Sequence, residues 1–417
     1  MHTDCLVGLI KTPVMAKKQQ KTKPVENAGL FDDKEVQGWF EDEDDTEEDS
    51  GSATFETIEE KYAKSQLRVV RESRDYTLDY LQHALKKDKF IINVAPDFQR
   101  RQRWSIQKRS QLIESFLMNI PIPSVYLFEK EYNEYEVVDG RQRLDSIREY
   151  LSNGFALTGL SYWRELNKKR FDQLPPIIQK GLLRRSLAAV VLLAEASNPE
   201  HDDFDVRNVL FERLNTGGEK LNPQELRNAL YPGHFNKMLL DSARYKTFID
   251  AWGIPEYTPQ EETQVPEKLA NNTLYKTMAD CELVLRFFAI REAIIQNRKG
   301  ALRKLLDSCM KRHEQDDSTQ VEFLQALFKD TIDGLVNAFE ADTFILPKST
   351  RPSRPLYDAL MVAYSMKGQD NVVDDKSNIK AKMAEAFKND YDAIVRRGNT
   401  IEDIKERIGV AEKILFK

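Results

Sequence analysis

Val137-Val138-Asp139-Gly140-Arg141-Gln142-Arg143 is the stretch on which the reading of this chain turns. Two β-branched residues close an extended run, and Leu144, Ile147, Tyr150 and Leu151 then recur at helical spacing. Asp-Gly between them marks a strand-to-helix junction. The first turn of a helix has backbone N–H groups without intrahelical acceptors and carries the positive end of the dipole, which together suit an anion. Gly140 lets a ligand come close to the backbone. Arg141 and Arg143 add planar donors that match phosphate oxygens. Asp139 is a candidate for holding Mg²⁺, accepting from a hydroxyl, or capping the helix. A plainer reading stands beside this one: Asp139 only caps, and Arg143 is its i,i+4 partner, worth roughly a few tenths of a kcal/mol.

Working outward, the spacing predicts a helix over 80–87 with Leu78, Leu81 and Leu85 on its stripe, and a strand over 90–94. Ser105 is placed to cap a helix carrying Leu112, Ile113, Phe116 and Leu117. Pro121-Ile122-Pro123 ends that region and feeds a strand from Val125 to Phe128. A polar turn returns the chain through a second strand, Tyr135 to Val138, into the junction. Asn153-Gly154 is a helix stop. Leu187 to Leu193 reads as a buried strand. Val206, Val209, Leu210 and Leu214 are spaced for a helix, and Asn222-Pro223 pairs an N-cap with a first-turn proline. Beyond about residue 270 the pattern is almost wholly helical, with stripes such as Leu283, Phe287, Phe288 and Ile290, or Phe323, Leu327 and Leu335, or Met383, Phe387 and Ile394.

Two more segments carry chemistry. In Pro96-Asp97-Phe98-Gln99-Arg100-Arg101-Gln102-Arg103-Trp104, a loop of arginines and glutamines can clamp phosphates while an aromatic stacks on a base. Its structural alternative is a basic surface loop with Trp104 anchored in the core. In Phe211-Glu212-Arg213-Leu214-Asn215-Thr216-Gly217-Gly218 the Asn-Thr-Gly-Gly loop offers backbone donors. The following Leu221 to Asn228 places Glu225 as a capping partner of Asn222. Arg213, Asn215 and Arg227 are candidates for DNA or cleft contacts, or pair with nearby acids.

At 417 residues the chain is long enough for two or three units at roughly 100–200 residues each. With 41% hydrophobic and 31% charged residues the composition is that of a globular protein. The net charge of −6 is uneven: residues 32–49 alone carry −10, leaving +4 elsewhere. Nucleic-acid contact must therefore use local basic patches rather than a global field. Residues 1–55 read as a disordered acidic tail in which Trp39 and Phe40 form a short docking motif. The three cysteines are few, distant and odd in number, which argues for a reducing compartment, with the cytoplasm as default. No apolar run is long enough to span a membrane. The five histidines show no metal-ligand spacing.

Taken in order, these segments resemble the N-terminal domain of GmrSD-type modification-dependent restriction enzymes, of the ParB/sulfiredoxin-like superfamily. Gln99-Arg100 with Trp104, Pro121 to Pro123, Asp139 to Leu144, Phe211 to Gly218 and Leu221 to Asn228 carry the resemblance over roughly residues 85–245. It implies an α+β ParB/sulfiredoxin-like domain at 56–250, followed by a mostly α-helical C-terminal domain at 251–417. It also implies a nucleoside triphosphate with Mg²⁺, its hydrolysis, DNA, and a role in anti-phage or foreign-DNA defence. By position Asp139 and Arg143 are the catalytic pair, and Gln99, Arg100, Gly140, Arg141 and Gln142 are the nucleotide-binding residues. Arg101, Arg103, Trp104, Arg213, Asn215 and Arg227 are expected around DNA or the cleft. Two residues depart from the family pattern: Arg141 stands for Gln, and Asp145 for Thr or Ser. Arg141 strengthens phosphate binding, whereas Asp145 adds a negative charge one turn into the helix. The paired histidines of the C-terminal HNH nuclease in such enzymes are not found, so the effector nuclease is expected on a partner defence protein. A homodimer suits the superfamily. Two other readings stay open: a direct DNA endonuclease using the same Asp-Gly-x-x-Arg cleft, and a non-enzymatic DNA-binding scaffold.

Overall fold

The structure, a computed structural model, describes residues 30–41, 69–86, 89, 91–94, 104–194, 221–262, 265–339, 343–346, 349–367, 375–389, 394 and 400–416. The Gln99–Arg103 segment, the 206–214 helix and the Asn-Thr-Gly-Gly loop lie outside these residues, as does most of 1–55.

Five strands form one sheet in the order β1-β5-β3-β4-β2. They are β1 (Val69–Thr77), β2 (Ile92–Asn93), β3 (Val125–Glu131), β4 (Glu134–Asp139) and β5 (Ser186–Ala194). β3 and β4 make an antiparallel hairpin, turned by Tyr132 and Asn133, the latter at φ 62°. β5 returns parallel to β3, and β2 runs parallel to β4. β1 closes the far edge antiparallel to β5. Its sequence, with Arg71, Glu72, Arg74 and Asp75 among the apolar residues, gives no strand signal.

Side chains alternate across the sheet with period two. Val125, Leu127, Tyr135, Val137, Ala189 and Val191 face one core. Phe128, Val138 and Leu192 face the other. The first core is closed by α2 (Leu78–Ala84), α3 (Ile106–Leu117), α4 (Arg141–Leu151) and α5 (Pro176–Leu183). Ser105 caps α3, accepting from Lys108 N–H at 3.3 Å. Thr77 caps α2 in the same way.

The second core is shared between the sheet's other face and the helical remainder. That remainder begins with α6 (Pro223–Leu230), α7 (His234–Ser242) and α8 (Lys246–Trp252), before the boundary expected at 250. It continues through α9 (Glu267–Ala270), α10 (Thr273–Lys276), α11 (Ala279–Ile295), α12 (Leu302–Arg312), α13 (Ser318–Phe339), α14 (Arg354–Lys367), α15 (Lys376–Asn389) and α16 (Ile401–Leu415). α11 is buried nearly all round, as a central helix must be. The expected stripe on α13 holds for Leu335 but not for Phe323, which is 72% exposed. The sheet therefore has a helical layer packed on each face.

The tail expectation fails at one place. Residues 33–41 form a helix, α1 (Asp33–Glu41), whose Val36 and Phe40 are buried in the second core beside Phe31.

Candidate functional site

β4 carries the chain along the sheet to Asp139. The ladder slips there: Tyr126 pairs with Asp139 but Leu127 with Val137, so β4 is bulged at its last residues. A bulge re-aims the strand end. Gly140 follows at φ 93° and is the N-cap of α4. A Cβ at that position would lie 2.3 Å from Val125 Cγ1, so glycine is required by both dihedral and space. Asp139 is thus not the helix cap, and no side chain caps α4 at all. The positive dipole end of the helix is therefore not covered by a capping side chain, an arrangement that suits an anion.

Asp139 Oδ2 accepts from Arg143 Nη2 at 2.7 Å, and Arg143 Nη1 donates to Pro123 O at 2.9 Å. Arg143 therefore braces the junction against the Pro-Ile-Pro segment and is the i,i+4 partner of Asp139, as the plainer reading of the sequence has it. Among the described residues nothing further bonds Asp139, which leaves Oδ1 for a cation or a hydroxyl. Mg²⁺ fits such a donor when substrate phosphates and water complete its shell.

Arg141 lines a small cavity of about 20 Å³ with Asn93, Val94, Glu136, Val137, Ala229 and Pro232. That volume holds about one water. The cavity nevertheless marks where three elements meet: the end of β2, the β4–α4 junction, and the end of α6. Glu136 was not singled out in the sequence. Its alternation with Tyr135 and Val137, which face the other core, is the signal that places it here.

Other expected residues sit elsewhere. Gln142 is half-buried in the first turn of α4. Asp145 is buried and pairs with Arg148 at 3.5 Å, with Arg109 also in its field. It is neutralised within the fold. Trp104 packs against the first core under Lys108 Nζ, 4.7 Å from its ring centroid. Arg227 takes the alternative that the sequence offered, pairing with nearby acids. It is 1% exposed, with Nε 2.6 Å from Asp307 Oδ1 and Nη1 3.5 Å from Glu282 Oε2, tying α6 to α12 and α11. Glu225 does cap: it accepts from Asn222 N–H at 2.8 Å, while Asn222 Oδ1 accepts from Glu225 N–H at 2.9 Å. Gln99, Arg100, Arg101, Arg103, Arg213 and Asn215 lie outside the described residues.

Residues 80–232 match the family model of the GmrSD restriction endonuclease, N-terminal domain. That segment is similar to a GmrSD-type N-terminal domain and carries every motif that the sequence resemblance used. No curated protein and no solved structure matches the chain. Among the described residues no helix is long and apolar enough to cross a membrane.

Proposed function

We propose that this GmrSD-type domain, whose family ties the chain to restriction and defence against foreign DNA, is a ParB-like nucleotide-binding module that acts in the cytoplasm. One observation carries the proposal: a helix start with no side-chain cap behind a sterically required left-handed glycine, with Arg141 lining a small cavity between the end of β2, the β4–α4 junction and the end of α6. A nucleoside triphosphate seats its phosphates against Gly140, Arg141 and Gln142, and Gln99 and Arg100 close from the opposite side. Asp139 orients water or Mg²⁺ through Oδ1, and bound Mg²⁺ would supply charge neutralisation at the phosphates. Arg143 holds Asp139 in place and is a positioning residue. Arg101, Arg103 and Trp104 adjoin the nucleotide segment and engage DNA, while the nuclease resides on a partner protein. Hydrolysis and a homodimer belong to the same reading.

The test is a panel of nucleoside triphosphates with Mg²⁺, read by thermal shift and by phosphate release, on wild type and Asp139→Ala. One nucleotide should raise the melting temperature of wild type, and Asp139→Ala should abolish turnover. No shift with any nucleotide, together with unchanged phage protection by Asp139→Ala in cells, would sink the proposal. The self-contained Asp139–Arg143–Pro123 contact favours a second reading, a DNA-binding scaffold in which this junction is only structural. Salt-steep DNA binding that ignores nucleotide would select it.

A further inference from the structure

Far along the chain from the junction, three potential metal ligands converge where α11 meets α12. Cys309 and His313 are four residues apart and so share one face of the end of α12. Glu292 comes from the last turns of α11. The Cys309 sulfur, a His313 ring nitrogen and a Glu292 carboxylate oxygen all lie within 4.8 Å of one another. The histidines show no ligand spacing among themselves, and this group contains only one of them: its other two members are a cysteine on the same helix and a carboxylate from another helix.

The surroundings are those of a metal site. His313 Nδ1 is 2.5 Å from Asp316 Oδ2, while Nε2 is turned to Glu292 Oε1. Metal-bound histidines characteristically hand their outer N–H to a carboxylate, which fixes tautomer and ring orientation. The ring is also held flat against Phe235, with centroids 4.5 Å apart and planes 21° from parallel. Arg312 bonds the other Glu292 oxygen, Oε2, so Oε1 alone is presented to the group. Cys309 is fully buried, whereas the His313 and Glu292 side chains keep 16% and 18% exposure, which gives an ion a way in. Tetrahedral Zn²⁺ needs its ligand atoms about 3.3–3.6 Å apart, a movement of about 1 Å from the present spacing of nitrogen and oxygen. With a dication in place, its charge and that of Arg312 balance the Cys309 thiolate, Glu292 and Asp316.

We infer that Cys309, His313 and Glu292 form a binding site for a borderline dication of the Zn²⁺ class, with Asp316 orienting His313 and a fourth position left to water. The site joins α11 to α12 beside α7, at the C-terminal end of α12, beyond its Asp307–Arg227 contact. Thiolate, imidazole and one carboxylate select Zn²⁺ or Co²⁺ over Mg²⁺ or Ca²⁺.

The test uses the full chain, stripped with chelator and titrated with Co²⁺ alone. One equivalent should produce a thiolate-to-cobalt charge-transfer band and the intense visible bands of a four-coordinate site, and Zn²⁺ should bleach both. Cys309→Ser should remove the charge-transfer band, and Cys281→Ser should keep it. Asp316→Asn should weaken binding by about 10–100-fold without removing the band. In wild type, needing no variant, Zn²⁺ should raise the melting temperature and chelator should reverse it. An ordinary salt-bridge network predicts no band in wild type. That result, or a band that survives Cys309→Ser, overturns the site.

Discussion

At Gly140 the cost of any side chain can be stated atom by atom. The φ of 93° is strained for an L-residue, and the new Cβ meets Val125 Cγ1 at 2.3 Å. Gly140→Ala should lower stability by about 2–4 kcal/mol, from dihedral strain plus overpacking. Val125→Ala removes the obstructing methyl, so the double variant should recover part of the loss beyond additivity, measured by denaturant unfolding. Purely additive losses would show that the clash is relieved by backbone movement. Arg141 offers a separate test on binding. Arg141→Gln restores the family's usual residue and removes a charge-assisted phosphate contact, so nucleotide affinity should fall by about tenfold with stability nearly unchanged. The strand-to-helix junction was legible in Asp139-Gly140-Arg141. The division of labour was not: Val125 and Pro123 lie fifteen or more residues upstream, and only the sheet brings them under Gly140 and Arg143. Cys309, His313 and Glu292 escaped the sequence reading for the same reason, since no local spacing joins Glu292 to a ligand set on another helix.

Elements are held in place by buried polar contacts that can be tested one at a time. Glu114, on α3, accepts backbone N–H bonds from Ser161, Tyr162 and Trp163 at 3.3, 2.8 and 2.9 Å, pinning the loop after α4 to that helix. Burial alone would raise its pKa, but the three amides outweigh it and hold the carboxyl below its ordinary range. A carboxylate with a depressed folded pKa stabilises the fold above its unfolded pKa and loses that contribution as pH falls through the folded value. Glu114→Gln should therefore cost about 1.5–3 kcal/mol at neutral pH and flatten the acid limb of the stability curve. An unchanged acid limb would remove Glu114 from that role. Arg227 plays the corresponding part in the helical layer. Arg227→Ala leaves Glu282 buried without this counter-charge and should cost about 3–5 kcal/mol. Nucleotide-induced thermal shift should persist in the folded fraction; its selective loss would return Arg227 to the cleft. The capping box of Asn222 and Glu225 was legible because a helix start is local chemistry. β1 was not, because an edge strand paired only to β5 tolerates alternating charge that carries no apolar period. Arg227 left two alternatives open in the sequence because an exposed motif arginine and a buried one read alike until the partner helices are placed.

On the scale of the whole molecule, the acidic N-terminal stretch is part of the architecture. α1 lies against the helical layer, with Phe31, Trp39 and Trp252 in edge and tilted contacts at 5.1 to 6.2 Å. Arg354 donates to Trp39 O at 2.9 Å and lies over its ring, while Arg351 reaches Leu30 O and Glu35. The Lys276–Asp33 pair is half-exposed on both sides and contributes little. Burial of Phe40 and Val36 is what holds α1, because an amphipathic helix of nine residues is unstable alone in water. The charge pattern that reads as a solvated tail hid this, since eleven acids surround two aromatic anchors. α1 shares its core with the sheet face that carries Val138, one residue before the candidate site. Phe40→Ala should lower stability by about 3–5 kcal/mol, the usual cost of emptying an aromatic site. Deleting residues 1–41 should do at least as much. A synthetic 30–41 peptide added in excess should then restore part of the melting temperature by mass action, with a concentration dependence that gives its affinity. If the truncated chain melts with wild type and ignores the peptide, α1 does not stabilise the second core, and the acidic stretch reverts to a tail.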